Sequence, residues 1–445
     1  MARVGHQPPA ALTLEGLVVA LREQFEDFAD PRTGKNTRYT MADIALAAFS
    51  VFFTQSPSFL AHQRSMQQTK GRNNAHSLFQ VGQIPTDVHI RQTLDPTPPA
   101  TLYPMFASVY DALDDVGALE PYRVRHDQEL IALDGTQYFA SSALSCPHCT
   151  RTERGNGEVT FSHHAITPVL VAPDNPRVIN LEPEFITPQD GHDKQDCESA
   201  AAKRWITRHA GRWRERGATL LGDDLYCHQP MCQHALDHGL SFIFVCKRPS
   251  HRTLYEWVDE FAEIDALDSL VVERRHGKQR YTDTYRFIND VPIRDGDDAL
   301  KVSWCELSTL RHGSQEPTRK AFVTHHRITA ENVAEIVACG RARWKVENEN
   351  NNDLKTQGYH LEHNFGHGSQ HLSALLVTMN LLAHLFHTVL EISDERYRAI
   401  REALPRRTTF FDDLRALTRY LYFESWGALL AFMMRGLELE PFDTS

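Results

Sequence analysis

Two short apolar runs that each end in an aspartate, followed much later by a glutamate on a polar helix, constrain this chain more than any other feature. Glu129-Leu130-Ile131-Ala132-Leu133-Asp134-Gly135 reads as a buried strand with a carboxylate at its end. Ala218-Thr219-Leu220-Leu221-Gly222-Asp223-Asp224-Leu225-Tyr226 repeats that pattern. Arg341-Ala342-Arg343-Trp344-Lys345-Val346-Glu347 opens a polar helix that carries the third acid. Any one of these acids is ordinary, because an Asp after a strand is usually a turn residue. Three carboxylates so far apart in sequence meet only if a fold gathers them. Gathered, they supply the hard oxygen ligands that two Mg²⁺ or Mn²⁺ ions take when a phosphodiester is cut.

The periodicity around these runs predicts an α/β fold. Residues 1–122 read as a helical region, with helices over Leu12–Phe28 and Met41–Phe53 and then prolines at 85, 96, 98, 99 and 104. Residues 123–246 read as strands at 129–134, 161–172 and 177–187, a helix at 193–216, a strand at 218–222, a helix at 230–238 and a strand at 240–246. Segments 269–272, 279–288, 300–307 and 319–324 suggest a β-rich insertion over 247–329. Residues 330–370 complete the core with a helix over 330–355, and 371–445 read as helical. The apolar stretch from His371 to Leu390 contains His371, Asn380, His384 and His387, so a core helix is expected there and not a membrane span. No secretion signal is expected at the N-terminus, where Glu15 interrupts the first apolar stretch. A cytoplasmic, nucleoid-associated protein is expected.

The formal net charge is −11, from 47 Lys and Arg against 58 Asp and Glu. That balance argues against a simple basic nucleic-acid binder and puts the weight on local patches. One such patch is Lys203, Arg204, Arg208, Arg212, Arg214 and Arg216, and another is Arg274, Arg275, Lys278 and Arg280. The first either tracks a DNA backbone or is a solvated face paired with nearby acids. Trp344 reads as a core anchor.

Eight cysteines in a chain of this length, without a secretion signal, fit thiols or metal ligands better than disulfides. Cys146-Pro147-His148-Cys149 has the spacing of half a zinc site. Two readings stand: buried free thiols, or a structural zinc using Cys146, Cys149 and one or two of Cys227, Cys232, His163 or His164. His360, His363 and His367 lie past Gly358 and read as loop residues, not as a metal site. There is no Gly-rich phosphate loop and no serine-nucleophile elbow.

Arg343-Trp344-Lys345-Val346-Glu347 with Lys355 resembles the Tyr-Arg-Glu-Lys signature of the DDE insertion-sequence transposases. The family's Arg precedes its Glu by four, as Arg343 does. Its Tyr slot holds Gly340, and its Lys usually follows the Glu by seven, where this chain has Leu354. The run from Glu347 through His363 is similar to one branch of that family, Asp223-Asp224-Leu225-Tyr226 resembles its second-acid motif and favours Asp223, and Asp134-Gly135-Thr136 resembles its first. Glu349 stays open as an alternative third acid.

The resemblance covers roughly residues 125–370. It implies a ribonuclease H-like catalytic core interrupted by a β-rich insertion and flanked by helical N- and C-terminal regions. Asp134, Asp223 and Glu347 are implied as catalytic metal ligands, and Arg343 and Lys355 as DNA-phosphate contacts. It further implies Mg²⁺ or Mn²⁺ as a pair of ions, inverted-repeat ends and target DNA as partners, a homo-oligomer on DNA, and no membrane. DNA cleavage and strand transfer are the expected activity. The rivals are a ribonuclease H-like nuclease that cuts without joining and a non-catalytic, transposase-derived DNA-binding protein.

Overall fold

The short apolar runs become the middle strands of a large mixed sheet. The computed structural model describes residues 9–34, 37–67, 73–124, 127–188 and 197–439. The start of the expected 193–216 helix and the first eight residues lie outside them.

Six helices come first: α1 (Leu14–Glu26), α2 (Met41–Phe53), α3 (Phe59–Gln67), α4 (Asn74–Phe79), α5 (Asp87–Leu94) and α6 (Tyr103–Asp115). Thr13 and Thr40 start α1 and α2 by accepting the backbone N–H groups of Gly16 and Asp43. All of α2 except Asp43 is buried, as expected of a helix that is apolar all round. Four helices close the chain: α12 (Leu372–Ser393), α13 (Glu395–Ala403), α14 (Arg407–Tyr420) and α15 (Trp426–Gly436). They join the N-terminal set in one helical body. Phe49 of α2 meets Phe386 of α12 edge-to-face at 5.3 Å, Asn74 donates to the carbonyls of Thr418 and Leu421, and the Trp426 indole donates to the Leu78 carbonyl. Helix α12 is long and apolar enough to cross a membrane, but most of it is buried inside this body.

Between the helical sets run β1 (Arg123–Val124), β2 (Gln128–Ala132), β3 (Gly135–Ser141), β4 (Thr150–Glu153), β5 (Val159–Ile166), β6 (Val169–Ala172), β7 (Asn175–Asn180) and β8 (Glu184–Ile186). Next come α7 (Glu198–Glu215), β9 (Thr219–Gly222), α8 (Gln229–Asp237), β10 (Ser241–Val245), α9 (Arg252–Glu263), β11 (Asp268–His276), β12 (Gln279–Pro292), β13 (Lys301–Arg311) and β14 (Thr318–Thr324). The last stretch is α10 (Val333–Ala342), a π-helical segment (Val346–Asn351) and α11 (Asn352–Thr356).

The main sheet has the order β11-β12-β13-β14-β10-β9-β2-β6-β7, with β1 beside β2. Strands β2, β9 and β10 are mutually parallel, and the other pairs are antiparallel. Leu130, Ile131, Leu220 and Leu221 are wholly buried between layers, which is why these strands are short and apolar with little alternation. A second sheet has the order β3-β5-β4, with β8 on β5.

The structure departs from the sequence expectation in four places. The run 161–172 is not one strand: it breaks at Thr167-Pro168 into β5 and β6, which belong to different sheets. Pro168 has no N–H to continue a ladder, and its carbonyl instead accepts from Leu181. The run 177–187 likewise divides into β7 and β8. The four strands expected in 247–329 exist, but β14 pairs with β10, so they extend the main sheet, and α9 accompanies them. The helix expected over 330–355 is interrupted by the π segment.

Candidate active site

Asp134 follows β2, the first of the five strands β2, β6, β7, β9 and β10 in chain order, and Asp223 follows β9, the fourth. Because β2 and β9 are parallel neighbours, both acids emerge at the same end of the sheet. Glu347 lies on the π segment and stays in reach of solvent. Burial is the main cause that lifts the Asp134 carboxyl from 3.8 to about 7, followed by the negative charges of Glu198 and Glu347. Arg343 acts in the opposite direction, and Asp223 adds a smaller upward push. The structure thus gathers Asp134, Asp223, Glu347 and Arg343 into one electrostatic neighbourhood. Arg343 Nη1 lies 2.6 Å from Glu347 Oε1, an i,i+4 pair.

The two open choices in the sequence differ structurally. Asp224 Oδ1 accepts from the Lys247 N–H at 2.6 Å and contacts His251 Nε2 at 3.2 Å, so it braces the turn after β10. Asp223 Oδ1 accepts from the nearby Leu225 N–H, at 2.8 Å, in a local turn. Glu349 lines a separate cleft with Arg177, Asp353, Glu391 and Arg407, and its charge raises Asp353, not Asp134.

A fourth carboxylate, Glu198, was not singled out from the sequence. It sits in the first turn of α7, where an acid is commonplace. Here it accepts from the Gly135 N–H at 3.2 Å and from the Tyr226 hydroxyl at 2.8 Å. A Cβ at position 135 would collide with its carboxylate, so the glycine after Asp134 is what admits it. Burial raises its pKa, and Asp223 adds to the rise.

The odd run Asn350-Asn351-Asn352 also finds a role. A buried chain of donors runs from His384 Nδ1 to Asn180 Oδ1 (2.6 Å), from Asn180 Nδ2 to Asn350 Oδ1 (2.7 Å) and from Asn350 Nδ2 to Asn351 Oδ1 (3.1 Å). It ends with Asn351 Nδ2 donating to Asp134 Oδ2 at 3.0 Å. Thr167 Oγ1 supplies the second donor to Asn351 Oδ1 at 2.7 Å, which fixes the amide orientation. Burial lowers His384 to about 3, so its ring is neutral and can donate from Nδ1 to the Asn oxygen.

The π segment changes where Lys355 falls around the helix. A π turn bonds i to i+5 and takes up one more residue than an α turn. Position 355, eight after Glu347, therefore falls near the angle that a seventh residue reaches in an unbroken α-helix, about 20° from Glu347 at ~100° per residue. Leu354, in the family's Lys slot, is fully buried. Lys355 Nζ pairs with Glu362 at 3.0 Å, and its charge is felt by His164 of β5. In the Tyr slot, a Cβ on Gly340 would meet Phe322 and Ile243 at 2.7–2.9 Å, so α10 packs too closely on the sheet for any side chain there.

Next to Arg343 opens a cleft of about 600 Å³ whose lining includes Lys247, Arg248, Arg319, Lys320, Arg341 and Arg343, with Glu306 as the one acid among the described residues. Burial lowers the Lys320 pKa, and Arg341 and Arg343 lower it further, as in a pocket that favours an anion. Trp344 lines this cleft with 46% of its surface exposed and is not the core anchor expected from the sequence. The α7 patch is largely satisfied within the chain: Arg204 and Arg208 pair with Glu184, Arg212 with Asp111 and Arg216 with Asp114.

The zinc expectation is corrected in its membership. Cys146, Cys149 and His163 come together, but His367 joins them in place of Cys227, Cys232 or His164. Cys227 instead groups with Cys246 and His251, and His164 Nε2 contacts Ser162 Oγ at 3.0 Å. His367 lies in a loop, as expected, but its ring sits beside these three side chains. No family model matches this chain, and no curated protein matches it.

Proposed function

We propose that the chain is a DDE-type DNA transposase with a ribonuclease H-like core, which cuts the ends of a mobile element and joins them to target DNA. The observation that carries this reading is that Asp223 and Glu347 lie within electrostatic reach of the half-buried Asp134, with Arg343 acting beside them. The order of the acids along the fold supports it: after the first core strand, after the fourth, and on a late helix. Asp134, Asp223 and Glu347 are the oxygen donors that fit Mg²⁺ or Mn²⁺, and their mutual repulsion is what a bound cation relieves. When bound, such ions activate the attacking water or 3′-hydroxyl and neutralise charge on the leaving oxygen.

The chain's own residues supply position and charge. Asn351 orients the Asp134 carboxylate through Oδ2. Arg343 holds Glu347 until a phosphate competes for the guanidinium. The cleft of Lys247, Arg319, Lys320 and Arg341 carries the DNA backbone up to the acids, which reconciles DNA binding with a net charge of −11. Joining two ends calls for at least a dimer on DNA, and the N-terminal helices are assigned to end recognition. Incubation with a plasmid bearing the flanking inverted repeats tests the reading. Mg²⁺-dependent cutting followed by joining supports transposition, cutting without joining supports the nuclease, and binding without cutting supports the DNA-binding protein.

A further inference from the structure

Four soft donor atoms from three separate segments point at one centre away from the acidic site. They are Cys146 Sγ and Cys149 Sγ from the loop before β4, His163 Nε2 from β5, and His367 Nε2 from the loop between α11 and α12. The spacings are 3.7 Å for Cys146–Cys149, 3.5 Å for Cys146–His163, 3.4 Å for Cys149–His163, 3.5 Å for Cys149–His367 and 3.2 Å for His163–His367. A tetrahedral ion with bonds of about 2.3 Å to sulfur and about 2.05 Å to nitrogen requires S···S, S···N and N···N edges of about 3.8, 3.6 and 3.3 Å. These five of the six edges agree with those values to about 0.2 Å, and the sixth, Cys146–His367, is within 4.8 Å. The sulfurs are far too distant for a disulfide, which needs about 2.05 Å.

We infer that Cys146, Cys149, His163 and His367 form a structural Cys₂His₂ zinc site. The set is complete with four protein ligands and has no place for substrate, as in structural and not catalytic zinc. The surroundings fit. His367 Nδ1 lies 3.1 Å from the Gly368 carbonyl, so that nitrogen carries the proton and leaves the Nε2 lone pair for a metal. The Cys146 N–H donates to Cys149 Sγ at 3.4 Å, which stabilises a thiolate. Tyr138 stacks on the His163 ring at 5.6 Å, and Phe139 packs against His367 at 4.6 Å, fixing both rings and limiting water.

The other sulfur cluster does not meet these conditions. Cys227, Cys246 and His251 offer three ligands among the described residues, and His251 Nε2 is 3.2 Å from Asp224.

The zinc joins residues 218 positions apart. It clamps the loop that follows Lys355 onto β5, which pairs with β3 directly after Asp134. Its role is to hold the Glu347–Lys355 helix in register with the first strand end, whatever reaction the acids perform.

The test is elemental analysis of the full chain, purified from zinc-supplemented cells without chelator, together with zinc-edge X-ray absorption. One zinc per chain is expected, with two sulfur neighbours near 2.3 Å and two nitrogen neighbours near 2.0 Å. Cys149→Ser and His367→Asn should lose it, and the control Cys232→Ser should keep it. If the ligand variants fail to fold, growth of the wild type in cobalt gives a second readout, the visible bands and thiolate charge-transfer of a tetrahedral S₂N₂ site. Wild-type protein without stoichiometric zinc, zinc bound by nitrogen and oxygen alone, or zinc retained in both ligand variants would overturn the inference.

Discussion

Replacing Asp134 by Asn should stabilise the metal-free protein at alkaline pH while abolishing its chemistry. The Asp134 carboxyl rises from 3.8 to about 7 on folding, because burial and the charges of Glu198 and Glu347 oppose its ionisation. The folded state therefore holds a proton that the unfolded chain releases near pH 4. Stability from this group is full below that pH and is lost as pH climbs to about 7. At about 1.4 kcal/mol per tenfold change in proton affinity, the loss is at most ~4 kcal/mol. An unfolding entropy of roughly 2.1 cal/mol/K per residue gives ~0.9 kcal/mol/K for a chain of 445 residues, so the loss corresponds to ~4 °C. Asn keeps an oxygen to accept from Asn351 and removes the charge. Thermal melts of wild type and Asp134→Asn should run in magnesium-free buffer without chelator, from pH 4 to pH 8. The variant's advantage should grow by up to ~4 °C across that window and shrink when Mg²⁺ stabilises only the wild type. A difference in melting temperature that ignores both pH and Mg²⁺ would refute the reasoning, since it would mean that folding does not raise the Asp134 pKa.

The remaining predictions concern the groups around that carboxylate. Glu349→Gln should leave metal-dependent cleavage within a few-fold of wild type, whereas Glu347→Gln abolishes it, because Glu347 is the one of the two whose charge is felt at Asp134, while Glu349 acts on Asp353. Asn351→Ala should lower kcat more than KM and cost about 1–3 kcal/mol of stability, since it leaves Thr167 and Asn350 donors without their buried acceptor. Equilibrium unfolding and steady-state cleavage separate the two effects. Lys320→Ala and Arg341→Ala should each weaken DNA binding and flatten the slope of log K against log salt by about 0.9 for each phosphate no longer neutralised, measured by binding titrations at several salt concentrations. Glu198→Gln should lower the pH at which Asp134 ionises, seen as an earlier onset of metal binding in a pH titration.

Much of this site was legible because it lies on strand ends. A buried run such as Leu130-Ile131-Ala132 has to stop where the chain turns polar, so the carboxylate after it is marked by the run itself. The Arg343–Glu347 pairing was legible from helical spacing alone. Glu198 was not, because the first turn of a helix accepts an acid for local reasons, and only the tertiary fold brings it over Gly135. The strand break at Pro168 was visible in the sequence as a residue without an N–H, yet the apolar run around it masked the change of sheet. The α7 arginines looked like a nucleic-acid patch because their partners, Asp111, Asp114 and Glu184, are distant in sequence. The basic cleft is assembled from β10, β13, β14 and α10 with the segments that adjoin them, so no single stretch of sequence displays it. His367 escaped notice as a member of the Cys/His cluster because its three neighbours there lie some two hundred residues earlier.

The most direct measurement is cleavage and strand transfer on a plasmid carrying the flanking inverted repeats, with and without Mg²⁺. Wild type should be compared with Asp134→Asn, Asp223→Asn, Glu347→Gln and Glu349→Gln. Wild type and Glu349→Gln should cut and join in a Mg²⁺-dependent way, and the other three should do neither. Stable binding to the repeats with no cutting by wild type, or full activity in any of the three triad variants, would contradict this prediction.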